Sequence, residues 1–154
     1  MRGNEDASDV AKKHSDIRFW IVLNPRIKKT YKREESLLTH PHCKGIKIHP
    51  TEHAYEIRDY GDEIFEFTAV HKAIIICHSG YQGSFPEDFI PFVNRYKDVP
   101  LIIAHLGNSA NGKVTRQVYA LKRTNNNIVY IDTSSAKSMN SGLIDGAVSE
   151  VGTD

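Results

Sequence analysis

Two histidines stand in matched settings along this chain. AIIICHSG (residues 73–80) and PLIIAHLG (residues 100–107) each run through apolar positions into His, one further residue and Gly. Those histidines are His78 and His105. A third, His49, closes the stretch GIKIHP at residues 45–50. Imidazole is the commonest protein ligand for zinc and similar ions, and the usual general base near neutral pH. A lone histidine at a strand end is more often a hydrogen-bonded structural residue. Two in matched contexts, with a third one strand earlier, form a candidate site.

The runs that carry them are too short for helices. A continuous apolar run of four or five residues reads as a strand buried on both faces, as in parallel sheets. The C-terminal ends of such strands are where α/β proteins place their chemistry. In GIKIHP, alternation sends Ile46 and Ile48 one way and Lys47 and His49 the other, so the polar pair faces a site or solvent. Cys77 precedes His78 and faces the opposite side, which excludes a Cys77–His78 dyad and packs the thiol under a helix. Ser79 and Ser84, beside Gly80 and Gly83 in HSGYQGS, read as a cradle for a substrate carboxylate or phosphate.

Between these strands lie helical patterns. Residues 4–14 form a helix with acids early and Lys12 and Lys13 late, as the helix dipole favours. RFWIVLNP (18–25) is a strand, followed by a short helical stretch near residues 33–38. Residues 62–71 are amphipathic through Ile64, Phe65, Phe67 and Val70. Ser84-Phe-Pro-Glu87 reads as a capping box opening a helix through Phe89, Ile90, Val93 and Tyr96. Residues 113–122 form a helix, IVYID (128–132) a strand, and 141–151 a closing helix. Comparable strand ends fall at Asn24, His49, His78, His105 and Asp132, with separations by subtraction of 25, 29, 27 and 27 residues. That regularity predicts a repeated βα unit and a parallel sheet with right-handed crossovers. Two architectures fit it: a complete five-strand open doubly wound sheet, or five consecutive units of an eight-unit barrel.

The totals bound the function classes. The 154 residues suffice for one domain with a real core, spanning 1–154. Twenty basic residues against nineteen acidic ones, a formal charge of +1, give no electrostatic case for nucleic acid or for a membrane surface. No apolar run approaches a membrane span. The opening MRGNEDASDV is acidic and polar where a signal peptide would be basic and then apolar. Cys43 and Cys77 lack metal or redox spacing and read as reduced thiols of a cytoplasmic protein.

GIKIHP, HSG, PLIIAHLG and NIVYIDTSS, in this order, resemble the amidohydrolase-related branch of the metal-dependent hydrolase superfamily. The resemblance runs from about residue 18 to the end. It implies a (β/α)8 TIM-type barrel, here incomplete and covering about five strands, the family's third to seventh. It places His78 as the metal-ligand histidine after the fifth strand. His105 falls on the sixth-strand histidine, which binds a second metal in some members and activates water or substrate in others. Lys47 falls on the strand where binuclear members carry a carboxylated lysine, and its place two residues before His49 argues against carboxylation here. Asp132 falls on the seventh strand as a structural or substrate-facing group. The family's first-strand His-x-His and eighth-strand Asp have no counterpart: His40-Pro-His42 follows a polar loop, and Asp154 belongs to a G-x-D that precedes the eighth strand.

The resemblance implies a divalent metal, zinc foremost, that activates water against a carbonyl-type small-molecule substrate, or assists decarboxylation. His49, Lys47, Ser79 and Asp132 are the expected substrate contacts. With fewer than the three protein ligands of a catalytic zinc, the chain alone is expected to bind metal weakly and to turn over little. Exposed edge strands at 18–23 and 128–132 would favour homo-oligomers. The rival is a non-catalytic open-sheet binding domain whose histidines are structural.

Overall fold

A computed structural model describes residues 2–105, 116–124, 128–134 and 142–152. Helix α1 (Arg2–Lys13) leads into β1 (Phe19–Val22), α2 (Lys29–Leu38), β2 (Cys43–Ile48), α3 (Ile57–Val70) and β3 (Ile75–His78). A 3-10 turn at Pro86–Phe89 then passes into α4 (Ile90–Arg95), β4 (Leu101–Ala104), α5 (Arg116–Arg123), β5 (Val129–Ile131) and α6 (Leu143–Val151). The five strands form one parallel sheet in the order β1-β2-β3-β4-β5.

That order decides between the two architectures. A doubly wound sheet must reverse its strand order to bring helices to its second face. Here every strand is added on the same side of the last, so right-handed crossovers stack all helices on one face. Burial agrees: Ile21, Ile46, Ile48, Ile75, Cys77, Leu101 and Ile103 are at most 1% exposed and share one core with Ile57, Ile64, Phe65, Phe89 and Val93. Their alternates Trp20, Val22, Lys47, Ile76, His78 and Ile102 are only half-buried. The doubly wound alternative is therefore excluded. The sheet is an unclosed barrel wall, with helices outside and an open face within.

Two local features shape its first half. The β1–β2 register slips between Phe19↔Cys43 and Ile21↔Ile46, a bulge that falls at Gly45. Gly45 has φ 145°, and a Cβ there would lie 2.3 Å from the Ile74 carbonyl oxygen. Only glycine permits this bend. At the outer edge of β1, the buried Asn4 carboxamide donates to the Val22 carbonyl and accepts from the Val22 amide, both at 2.9 Å. A side chain from α1 thus takes the hydrogen bonds that a further strand would make there, so this part of the edge is not exposed as expected.

Some boundaries differ from the sequence expectation. α3 begins at Ile57 rather than 62, carrying Gly61 inside it, because the Phe92 ring fills the space where a Gly61 Cβ would lie. α2 begins at Lys29, ahead of the stretch read near 33–38. Ser84 is not the helix cap. Phe85 takes that place, with its amide donating to the Asp88 carboxylate at 2.8 Å, while Ser84 is buried with its hydroxyl 3.4 Å from the Tyr81 carbonyl. Only this half of a capping box forms, one residue later than expected, with Pro86 at the first helical position. Residues 113–115 of the helix expected at 113–122, residue 141 of the one expected at 141–151, and Asp154 lie outside the described residues.

Candidate functional site

In a parallel sheet all C-terminal strand ends reach one rim. The ends of β2, β3 and β4 bring His49, His78 and His105 together there. The His49 and His78 rings are stacked, with centroids 4.0 Å apart and planes 11° from parallel. Tyr81 lies near-parallel to His78 at 5.6 Å, and His105 meets His78 edge-on at 5.1 Å and 62°. Burial first, then the neighbouring His49, His105 and Lys47 charges, pull the His78 pKa down to about 4. At neutral pH the ring is uncharged, which is the form that ligates metal.

His105 has φ 60°. A non-glycine residue in the left-handed region is uncommon, and costs of order 1–3 kcal/mol that surrounding contacts must hold in place. Those contacts come from the end of β5. The Ser134 hydroxyl lies 2.9 Å from His105 Nδ1, and the Ser134 amide donates to Asp132 Oδ1 at 2.5 Å. Burial raises the Asp132 carboxyl, but the hydroxyl and amide of Ser134, with the charge and amide of His105, outweigh it and leave it below its usual range. Ser134 thus bridges the ends of β4 and β5, its hydroxyl against the His105 ring and its amide on the Asp132 carboxylate. A hydroxyl that donates to the carboxylate must accept from the ring, an arrangement that favours the proton on Nδ1 and leaves Nε2 bare. Ser134→Ala is expected to cost about 1 kcal/mol of that preference, roughly fivefold in the tautomer ratio, read from imidazole nitrogen shifts by NMR. An unchanged ratio would mean the array does not orient His105.

His49 is set differently. The Glu52 amide donates to His49 Nδ1 at 3.2 Å, which places the ring proton on Nε2. Burial, with Lys47 and His53 assisting and Glu52 opposing, lowers its pKa, so it is a neutral N–H donor facing the rim.

The geometry discriminates among the histidines as ligands. Lone pairs of two stacked parallel rings run alongside each other and do not converge, so His49 and His78 cannot share an ion in this arrangement. Two imidazoles on one zinc, each bound at about 2.0–2.1 Å with tetrahedral angles, have centroids about 5 Å apart. His78 and His105, at 5.1 Å, match that. Among the described residues no group of three His, Cys, Asp or Glu side chains is placed to hold a metal. Among the described residues, then, His78 and His105 have the separation of an imidazole pair, and no third ligand is placed with them.

The remaining expected residues divide. Lys47 lies on the open face one step below His49, half-buried, with its pKa lowered by burial against the opposing influence of Cys77 and Asp132. Asp132 sits at the rim, committed to Ser134 and His105. Ser79 is fully buried just past the end of β3, its hydroxyl without a hydrogen-bond partner. The turn that carries Ser79 and Ser84 is closed by the Gly80 amide donating to the Ser84 carbonyl at 3.0 Å. Cys77 is buried under the helices, and burial pushes its thiol pKa up. His40 packs edge-on to Phe19 and His42 edge-on to His40, before β2 begins and so at the opposite rim from the site. Ser134, which the sequence offers either as a rim residue or as a cap for the helix that follows, sits at the rim against His105 and Asp132. Its signal was the Asp-Thr-Ser spacing, since an Asp readily accepts from the amide two residues on.

No described helix is long and apolar enough to cross a membrane. No curated protein and no solved structure matches the chain. A family model described as amidohydrolase matches residues 2–149, which include all five strands and every residue of the rim. With parallel βα units, helices on one face and histidines at successive strand ends, the chain belongs to the amidohydrolase family.

Proposed function

We propose that this chain carries part of the catalytic rim of a metal-dependent hydrolase acting on a carbonyl-type small molecule. The observation that carries the reading is the His78–His105 pair, edge-on at 5.1 Å, with His78 neutral. His78 and His105 would hold a divalent cation, zinc foremost, which when bound polarises a carbonyl and acidifies water. His105 presents its bare Nε2 either to complete that pair or to accept a proton from the attacking water. In the second role, the Asp132–Ser134 array stabilises the resulting imidazolium. His49 donates from Nε2 to a substrate oxygen at the same rim. A second copy would associate along β5, because Asn4 already covers part of the β1 edge.

With two protein ligands, binding should be reversible rather than tight, and turnover by this chain alone small. Equilibrium dialysis against zinc, with metal content measured before and after desalting, tests this. The expected result is zinc bound at equilibrium, largely lost on desalting, and absent throughout in His78→Ala. Stoichiometric zinc surviving desalting would overturn the two-ligand account. No zinc at equilibrium would overturn the metal reading itself.

A further inference from the structure

The segment between β3 and α4 brings a fourth ring to the histidine rim. It reads HSGYQGS over residues 78–84, and its tyrosine, Tyr81, is 38% exposed with its ring 5.6 Å from His78 and 18° from parallel. The backbone that carries Tyr81 is fixed at several points. The Ser84 amide donates to the Tyr81 carbonyl at 2.9 Å, and the Gly80 amide donates to the Ser84 carbonyl at 3.0 Å. Gly83 has φ 79°, and a Cβ there would lie 2.5 Å from Glu56 Cγ, so glycine lets the turn lie against the start of α3. The Gly83 carbonyl then accepts from the amide of Ile57, the first residue of that helix, at 2.8 Å. The turn bearing Tyr81 is thus hydrogen-bonded to the segment that leaves β2 through His49.

His78 therefore has two near-parallel neighbours, His49 and Tyr81, and one edge-on neighbour, His105. The last torsion of a histidine is broad, so the plane of its ring is set by what packs on it. Turning the His78 ring would drive its edge into His49, whose centroid is 4.0 Å away, and would break its alignment with Tyr81. We propose that Tyr81 is a positioning residue, which with His49 holds the plane of His78 and so makes His78 and His105 the pair that takes the metal. This rests on the reading of that pair as ligands and names the residue that orients it. A ligand already oriented loses little freedom when the ion arrives, whereas one that must find its orientation gives up affinity. The contribution of an aromatic pair converts to an affinity difference of roughly twofold to tenfold.

The test compares the wild-type chain with Tyr81→Ala and Tyr81→Phe in two measurements. NMR relaxation of the His78 imidazole in the metal-free chain reads the mobility of the ring, and equilibrium dialysis reads zinc affinity. Tyr81→Ala is expected to free the ring and to weaken zinc roughly fivefold. Tyr81→Phe, which keeps the ring and loses the hydroxyl, should leave both close to wild type. Tyr81 lies outside the core cluster, so its truncation leaves the core packed, and unchanged His40 and His42 resonances confirm the fold. An unchanged His78 ring or an unchanged zinc affinity in Tyr81→Ala would overturn the proposal. A loss in Tyr81→Phe as large as in Tyr81→Ala would overturn it too, since the hydroxyl and not the ring would then be responsible. Zinc absent from the wild-type chain, with a His78 ring that Tyr81→Ala frees, would sink the metal reading and leave the positioning role in place.

Discussion

Phe65→Ala is expected to lower stability by about 3–5 kcal/mol, the usual cost of truncating a buried phenylalanine. Phe65 is fully buried in the middle of α3, stacks on Phe92 at 5.7 Å and meets Tyr96 at a tilt at 5.8 Å. It therefore ties α3 to the segment leading into β4, across the same core as Ile46, Ile75 and Leu101. A small domain has only about 5–15 kcal/mol in all, so the loss is a large share of the total. Urea denaturation of the two chains measures it directly. A loss under about 1 kcal/mol would mean the helix layer and the sheet do not share one core.

Gly45→Ala should cost about 3 kcal/mol or more, through two effects that act together. An alanine at φ 145° is strained in itself, and its Cβ would lie 2.3 Å from the Ile74 carbonyl oxygen. That carbonyl accepts from the Ile46 amide at 2.8 Å, so relief by moving the backbone breaks the β2–β3 ladder next to Lys47. The same denaturation experiment checks it. A tolerated Ala would show that the bulge shifts freely, and with it the register that sets Lys47 and His49 on the open face.

How much of this was legible beforehand follows from the physics of each residue. The strands were, because period-2 burial leaves an unbroken apolar run whose end must be a turn: Ile75–His78 and Leu101–Ala104 both appear where the runs predicted. The split of Ile46 and Ile48 from Lys47 was equally plain. Gly61 hid the start of α3, since nothing local signals that a ring from another helix will take the place of its side chain. Ser79 reads as exposed by its polarity, yet it is fully buried just past the end of β3. The site was legible as three strand-end histidines and no further. Whether two rings stack or meet edge-on depends on tertiary placement, and that difference separates His49, stacked on His78, from His105, edge-on to it. The tautomers in turn depend on Glu52 and Ser134, which lie outside any histidine motif.

The most direct test of the central claim is a zinc titration of the wild-type chain, followed by NMR through the imidazole resonances of all its histidines. The account predicts that His78 and His105 shift together along one binding curve, while His49 keeps its Nε2–H signature and the distant His40 and His42 stay still. Coordination by His49 in place of His105, or no histidine responding at all, would contradict it.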